Sequence, residues 1–299
     1  MGQRSFLRNA LEYGAAASVV ASLRYAPLPV ARGLAHGYAR LLDLAVPRLR
    51  RVAMRNLALA IPERTESERG RIADGVFDSI ARLFLCFAKF PQIGRDSLSR
   101  WVRFDGYEHY ERARQQGRGV LLATAHLGNW ELGALAHALE GDPMDVVVRP
   151  LDNPWIDRLV ARRRAACGNR VIEKRDAARA IFKALAANRT VGILMDQNSS
   201  LDQGVFVDFF GVPACTGTGF ARIAARSGAA VIPAFALWSE EEERHVVRYY
   251  PPVEMTDSAE EDTARLQKRL ETIVREVPDQ WLWIHRRWKT RPPGEGPIY

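Results

Sequence analysis

Apolar positions along the chain follow two rhythms. Through residues 1–100 they recur at helical spacing, punctuated by Pro27, Pro29 and Pro47 in YAPLPVARGLAHGYARLLDLAVP, because proline starts helices readily but does not continue them. In TESERGRIADGVFDSIARLFLCFAKF an amphipathic run follows Thr65 and Glu68, the spacing of a capping box in which side chains satisfy the first free amides. These segments predict a helical layer with a basic rim at Arg48, Arg50, Arg51 and Arg55.

From about residue 118 short apolar runs alternate with helical patterns. GVLLATA reads as a buried strand and residues 129–139 as the helix behind it; MDVVVRP is a strand leading to a helix over about 154–166. AARAIFKALAANR is a helix feeding the strand TVGILMD. Next come GVFVDFFG, the helix TGFARIAARSG, the strands AAVIPAFALW and RHVVRYYPP, and a last helix over about 259–276. This order predicts an α/β fold, a mixed sheet flanked by helices with a helical N-terminal extension. Residues 1–100 are expected to form a membrane-associating layer and residues 101–299 the α/β core, within one continuous domain. In such sheets ligands bind beyond the carboxyl ends of the strands.

Charge adds a constraint that the pattern lacks. With 43 Lys and Arg against 35 Asp and Glu the net charge is +8, which favours an anionic partner: nucleic acid, an anionic membrane or an acidic carrier protein. Cys86, Cys167 and Cys215 are widely spaced and form neither a disulfide framework nor a metal-ligand pattern. No apolar run reaches the roughly 18 to 20 residues of a membrane-spanning helix. Residues 9–23, NALEYGAAASVVASL, are flanked by Arg4, Arg8 and Arg24 and read as a helix lying on a membrane surface or as a packed terminal helix. A cleavable signal peptide is disfavoured, since no strong leucine-type core precedes the small residues.

The densest candidate chemistry lies in LLATAHLGNWELG, residues 121–133. His126 falls where the strand leaves the sheet, Gly128 and Asn129 suit a tight turn and a helix cap, and Glu131 lies in the first helical turn. A carboxylate that accepts one ring N–H fixes the imidazole tautomer and leaves the other nitrogen to take a proton from a hydroxyl. The expectation is that Glu131 meets the His126 imidazole; a helix-capping Glu beside a structural His is the alternative. His36, His109, His137, His245 and the remaining histidine read as structural. The spacing is not that of a zinc motif, and neither a metal nor a cofactor is expected.

Two further strand ends carry polar groups: Arg149 in VVVRPLDNP, and Asp196, Gln197 and Asn198 in VGILMDQN. A parallel sheet would gather His126, Glu131, Arg149 and Asp196 into one cleft. The chain has no G-x-S-x-G elbow, phosphate loop or dinucleotide fingerprint, and no side-chain nucleophile beside His126. A base without a nucleophile of its own points to direct attack by a substrate hydroxyl, that is, acyl transfer to an alcohol without a covalent enzyme intermediate.

The set AHLGNWELG, RPLDNP, ILMDQN, VFVDFFGVPACTGTG and DQWLWIHRRWKTRPPGEGPIY resembles the late acyltransferases of bacterial lipid A biosynthesis, the lauroyl and myristoyl transferases, within the wider lysophospholipid acyltransferase group. The likeness extends to RRVAMRNLALAIPE near the N-terminus. It implies a glycerolipid-acyltransferase-like fold on the cytoplasmic face of the inner membrane, moving a fatty acyl chain from acyl carrier protein to a hydroxyl of a lipid A precursor. It also implies His126 as general base with Glu131 as its partner, and Asp196 and Arg164 as functional positions. Gln197 falls within the same motif and is counted with the substrate-binding set. Arg149 joins on the strand-end argument, as an oxyanion or phosphate contact. The family's motif usually continues Asp-Gln-Asp, whereas this chain reads DQNSS, so Asn198 departs from the pattern and a different lipid acceptor would fit.

The basic balance then has three uses: an acidic carrier protein, an anionic glycolipid acceptor and the inner membrane surface. Arg162, Arg163 and Arg164 on one helix and Arg286, Arg287, Lys289 and Arg291 near the C-terminus are candidates. The tryptophans of WLWIHRRWKTR suit a membrane interface or a packed rim beside the site. Phe206, Phe209 and Phe210 are candidates for an acyl-chain pocket or for ordinary core. A nucleic-acid partner is not expected, since the aromatics form no single-strand platform. The competing readings are an acyltransferase for another lipid, such as a phosphatidylinositol mannoside, an ornithine lipid or a lysophospholipid, and a non-catalytic lipid-binding protein on the same fold.

Overall fold

The computed structural model describes residues 5–173, 177–256 and 258–299. Four helices lead: α1 (Phe6–Tyr25), α2 (Leu28–Ala45), α3 (Pro47–Ala60) and α4 (Glu66–Lys89). Pro27 precedes α2, Pro47 opens α3, and Thr65 caps α4 through the reciprocal box with Glu68. Among the described residues no helix is long and apolar enough to cross a membrane.

The sheet begins earlier than the hydrophobic rhythm predicts. Its strands are β1 (Val102–Asp105), β2 (Val120–Thr124), β3 (Asp145–Val148), β4 (Arg170–Glu173), β5 (Thr190–Leu194), β8 (Ala230–Ser239) and β9 (Arg244–Tyr249), while β6 (Gly204–Phe209) and β7 (Val212–Gly217) form a separate hairpin. The spatial order is β1-β9-β8-β2-β5-β3-β4, parallel throughout except for the antiparallel β8–β9 pair. Helices α5 (Tyr107–Gln115), α6 (Trp130–Glu140), α7 (Pro154–Arg164), α8 (Ala177–Ala186), α9 (Gly219–Ser227) and α10 (Ala259–Glu276) flank it.

Strands β1, β4 and β7 and helix α5 have no counterpart in the sequence reading. The first two are four-residue edge strands with mixed burial, too short to show alternation. In β7 the sequence VPACTG is small and proline-containing, and it becomes a strand by pairing with β6 across the Phe210–Gly211 turn, where both residues have positive φ, as tight hairpins require. Central β2 reads as unbroken apolar residues because both its faces are covered: Val120 through Ala123 are buried, as expected for a parallel strand between helical layers. One large core joins α1–α4 to the β6–β7 hairpin and to the C-terminal segment 277–299, with Leu57, Phe77, Phe209, Trp281, Trp283 and Trp288 at its centre. Two smaller cores fill the opposite faces of the sheet.

Candidate active site

Central strands β2 and β5 are parallel neighbours in register Thr124↔Leu194, and the Met195 N–H donates to the Thr124 carbonyl at 3.0 Å. Pairing therefore carries the two chains out of the sheet side by side and delivers His126 and Asp196 to the same edge. The turn after His126 is pressed onto β8: a Cβ at Gly128, where φ is +63°, would lie 2.0 Å from the Ala236 carbonyl oxygen. Only glycine fits that approach. The Asn129 N–H donates to that carbonyl at 2.8 Å, and the Asn129 side chain caps α6 by accepting from the Leu132 N–H.

Asp196 is 2 % exposed and spends both oxygens on the site. Oδ1 lies 2.9 Å from His126 Nδ1; Oδ2 accepts the His126 backbone N–H at 3.0 Å and the Trp281 indole N–H at 2.9 Å. Burial favours the neutral acid, but the His126 charge and these donors prevail and hold Asp196 at about 2, as several hydrogen bonds to a carboxylate do. Burial likewise opposes charge on His126; attraction to Asp196 and the shared hydrogen bond outweigh it and raise the imidazole above its ordinary value. Nε2 faces the other way, 3.4 Å from the Gln197 amide nitrogen. The ring edge packs against Trp130, centroids 4.9 Å apart.

The geometry corrects the expected pairing. Glu131 does not meet the imidazole: the first turn of α6 aims it at α7, where Arg164 grips both carboxylate oxygens, Nε to Oε2 at 2.9 Å, with a second, shorter contact from the terminal nitrogen. The carboxylate on His126 comes from the neighbouring strand, not from the neighbouring sequence. Glu131 acts on His126 only through its charge, which favours the imidazolium. Arg149 is not gathered into the cluster either. It follows β3 on the same edge, but its side chain is 77 % exposed, with Asp152 3.9 Å away.

Beyond Trp130, whose ring packs against His126, an open cavity runs down between α6 and the sheet. Trp130, Glu131, Arg164, Thr124 and Leu194 lie at its upper end, and Leu122, Gly192 and Met144 further down. Its wall is largely apolar, as small-molecule sites are. Phe209 and Phe210 are elsewhere: both are buried, packed edge-on against Trp281 and Trp283, so they are core. Among the described residues no group of three or more His, Cys, Asp or Glu is placed to hold a metal ion.

The C-terminal segment supplies what local reading missed. Residues 280–282 zip onto the His126 turn, with the Gly128 N–H donating to the Gln280 carbonyl and the Leu282 N–H to the His126 carbonyl, each at 2.9 Å. Trp281, Trp283 and Trp288 are fully or nearly fully buried and form no membrane rim. Buried Arg287 donates to the Cys215 carbonyl, Thr216 Oγ1 and Gln267 Oε1, and burial brings its guanidinium down to about 10. His285 accepts the Asn198 N–H at 3.2 Å; burial holds it near 4, so it is neutral at physiological pH. Asn198 exchanges bonds with Thr290, its amide donating to Oγ1 and its carbonyl accepting the backbone N–H. These bonds clasp the chain beyond β5 to the C-terminal segment; an aspartate at 198 could accept the Thr290 N–H but not donate to Oγ1. The signal was present in the sequence: tryptophans at 281 and 283 alternate as core-facing residues do.

The array offers an imidazole held by a buried carboxylate, its second nitrogen facing the Gln197 amide, and an apolar cavity beyond Trp130. The bacterial lipid A biosynthesis acyltransferase family matches residues 3–290. The lipid A biosynthesis lauroyltransferase of Escherichia coli (strain K12) is 31 % identical over 272 residues, covering 90 % of this chain and 88 % of the relative. A Haemophilus influenzae lipid A biosynthesis acyltransferase is 30 % identical over 277 residues, 91 % and 88 % of the two chains, and the E. coli palmitoleoyltransferase is 29 % identical over 262, 86 % and 85 %. A match across nearly the whole length, through every strand that builds the His126 edge, means that this chain is an acyltransferase and belongs to the bacterial lipid A biosynthesis acyltransferase family.

Proposed function

We propose that the protein moves a fatty acyl chain from acyl carrier protein to a hydroxyl of a lipid A precursor, with His126 as general base. The observation that carries this reading is the bonded His126–Asp196 pair packed against Trp130, which lines an apolar cavity. The acyl chain of the donor fills the cavity, bringing its thioester carbonyl to Nε2. His126 takes the proton of the acceptor hydroxyl as that oxygen attacks the carbonyl carbon. The C–S bond then breaks and the thiolate leaves with the proton from the imidazolium. Asp196 stabilises that imidazolium and fixes the ring, so it is a positioning residue.

Arg164, anchored by Glu131, holds positive charge near the carbonyl where negative charge develops, and the Gln197 amide beside Nε2 is a donor for the same oxygen. In this reading Glu131 serves the reaction indirectly, by anchoring Arg164. Exposed Arg149 and Arg162 give an acidic carrier protein a docking charge near the mouth. The exposed side chains of Phe6, Leu7, Leu11, Leu41 and Leu44, with exposed Arg8, Arg40 and Arg48 nearby in sequence, fit peripheral attachment to the cytoplasmic face of the inner membrane.

The test is transfer from labelled acyl carrier protein thioesters, with coenzyme A thioesters in parallel, to a panel of lipid acceptors. Labelling of the lipid A precursor is expected, with a loss of about 100- to 10,000-fold in His126→Ala. Labelling of only a non-disaccharide acceptor would overturn the acceptor assignment; full activity in His126→Ala would overturn the general base.

A further inference from the structure

The lower end of the cavity, toward the amino ends of the strands, is lined by an unusual contact. Gly192, in the middle of β5, pairs with Leu122 on one side and Val146 on the other, and all three line the cavity. A Cβ placed on Gly192 would come 2.3 Å from the terminal methyl of Met144, so that methyl occupies the space a side chain would take. Met144 is buried and also lines the cavity. Its backbone is fixed, since its N–H donates to Asn169 Oδ1 at 2.9 Å while the Asn169 amide donates to the Ala134 carbonyl at 2.9 Å. Its position just before β3 sets it at the end of the sheet opposite His126. Gly192 precedes Asp196 by four residues, which places it about 13 Å below the reacting edge at the usual rise per strand residue. A thioether on a fixed backbone, laid across a bare glycine, is a movable floor, because methionine is unbranched and repacks readily.

We infer that Met144, seated over Gly192, sets the length of acyl chain the protein transfers. The assignment rests on the acyl chain occupying this cavity, as proposed above. Truncating Met144 deepens the cavity; a methyl on Gly192 pushes the thioether up into it; combining the two lets the new methyl fill the space the thioether vacates. The three variants therefore make opposed changes at one point. A damaged fold would instead lower transfer of every chain length together.

The experiment measures kcat/KM for a series of saturated acyl carrier protein thioesters differing by two carbons, with wild type, Met144→Ala, Gly192→Ala and the double variant. Met144→Ala is expected to move the optimum to longer chains and Gly192→Ala to shorter ones, each changing the ratio between adjacent homologues by about 10-fold or more, the discrimination apolar pockets achieve per methylene. The double variant is expected to fall between them. Leu194→Trp, which fills the upper end of the cavity, separates occupancy of the cavity from the role of Met144. If Leu194→Trp transfers all lengths at wild-type rates, the chain lies elsewhere and the cavity reading falls. If Leu194→Trp blocks transfer while the other variants keep the wild-type length profile, Met144 is not the floor and this inference alone is overturned.

Discussion

At the C-terminus Trp281, Trp283, Trp288 and Arg287 are sealed from solvent, whereas at the N-terminus Phe6, Leu7, Leu11, Leu41 and Leu44 stand in it. Both regions mix apolar side chains with cations, and both invite a membrane reading from sequence. The fold separates them. The C-terminal tryptophans fill the core between the helical layer and the β6–β7 hairpin, and Arg287 donates to a carbonyl, a hydroxyl and an amide oxygen. Leu7 and Leu11 are on α1, and Leu41 and Leu44 lie on the outer face of α2, opposite the buried stripe Ala31, Ala35 and Ala39. The lesson is that an amphipathic composition says nothing of which surface covers it; the number of elements packed on each side decides.

The comparison can be broken in three places. The largest effect is expected at Asp196, where the C-terminal segment reaches the chemistry through Trp281. Asp196→Asn should lower kcat by about 1,000-fold, since an orienting carboxylate fixes tautomer as well as charge. In the proposed role His126 works only when neutral, so the wild-type rising limb of kcat/KM should lie above the ordinary imidazole value, because Asp196 raises it. Without that anion, burial and the Arg164 charge oppose the imidazolium with only the Glu131 charge favouring it, and the limb should move to lower pH. An unmoved limb would mean that another group titrates.

Next is Arg287. Arg287→Ala leaves the Cys215 carbonyl and the Gln267 amide short of a donor and opens a void, at a cost of about 3 kcal/mol in denaturant unfolding. A loss below about 1 kcal/mol would show that the tryptophans alone hold the segment down. The smallest effect on the fold is expected on the other region: Leu41→Glu with Leu44→Glu should leave stability within about 0.5 kcal/mol. The same pair should weaken sedimentation with anionic vesicles by about 10-fold; unchanged vesicle binding would remove α2 from the membrane surface.

Much of the fold was legible along the chain because its longer elements carry their own signals. The Thr65 box, the prolines before α2 and α3, and the unbroken apolar run of β2 each follow from interactions within a few residues. The short edge strands β1 and β4 and the strand β7 were not legible, because four residues, or a run of small ones, become strand only when a partner supplies the hydrogen bonds. At the site, His126 was visible from the strand-turn-helix pattern around it, and Asp196 from its place at the end of β5.

What the sequence by itself determined is thus the inventory: a histidine at a strand end, acidic and amide groups at another, a basic balance, and an α/β order. Tertiary structure alone decided the connections among them. Glu131 is five residues from His126 yet turns to Arg164, while Asp196, seventy residues away, takes the imidazole. Strand pairing causes this: adjacent parallel strands end on one edge whatever their separation in sequence, and a helix's first turn fixes the direction of its own side chains. The same holds for Trp281 and Asn198, whose partners exist only once the C-terminal segment has closed over the end of the sheet.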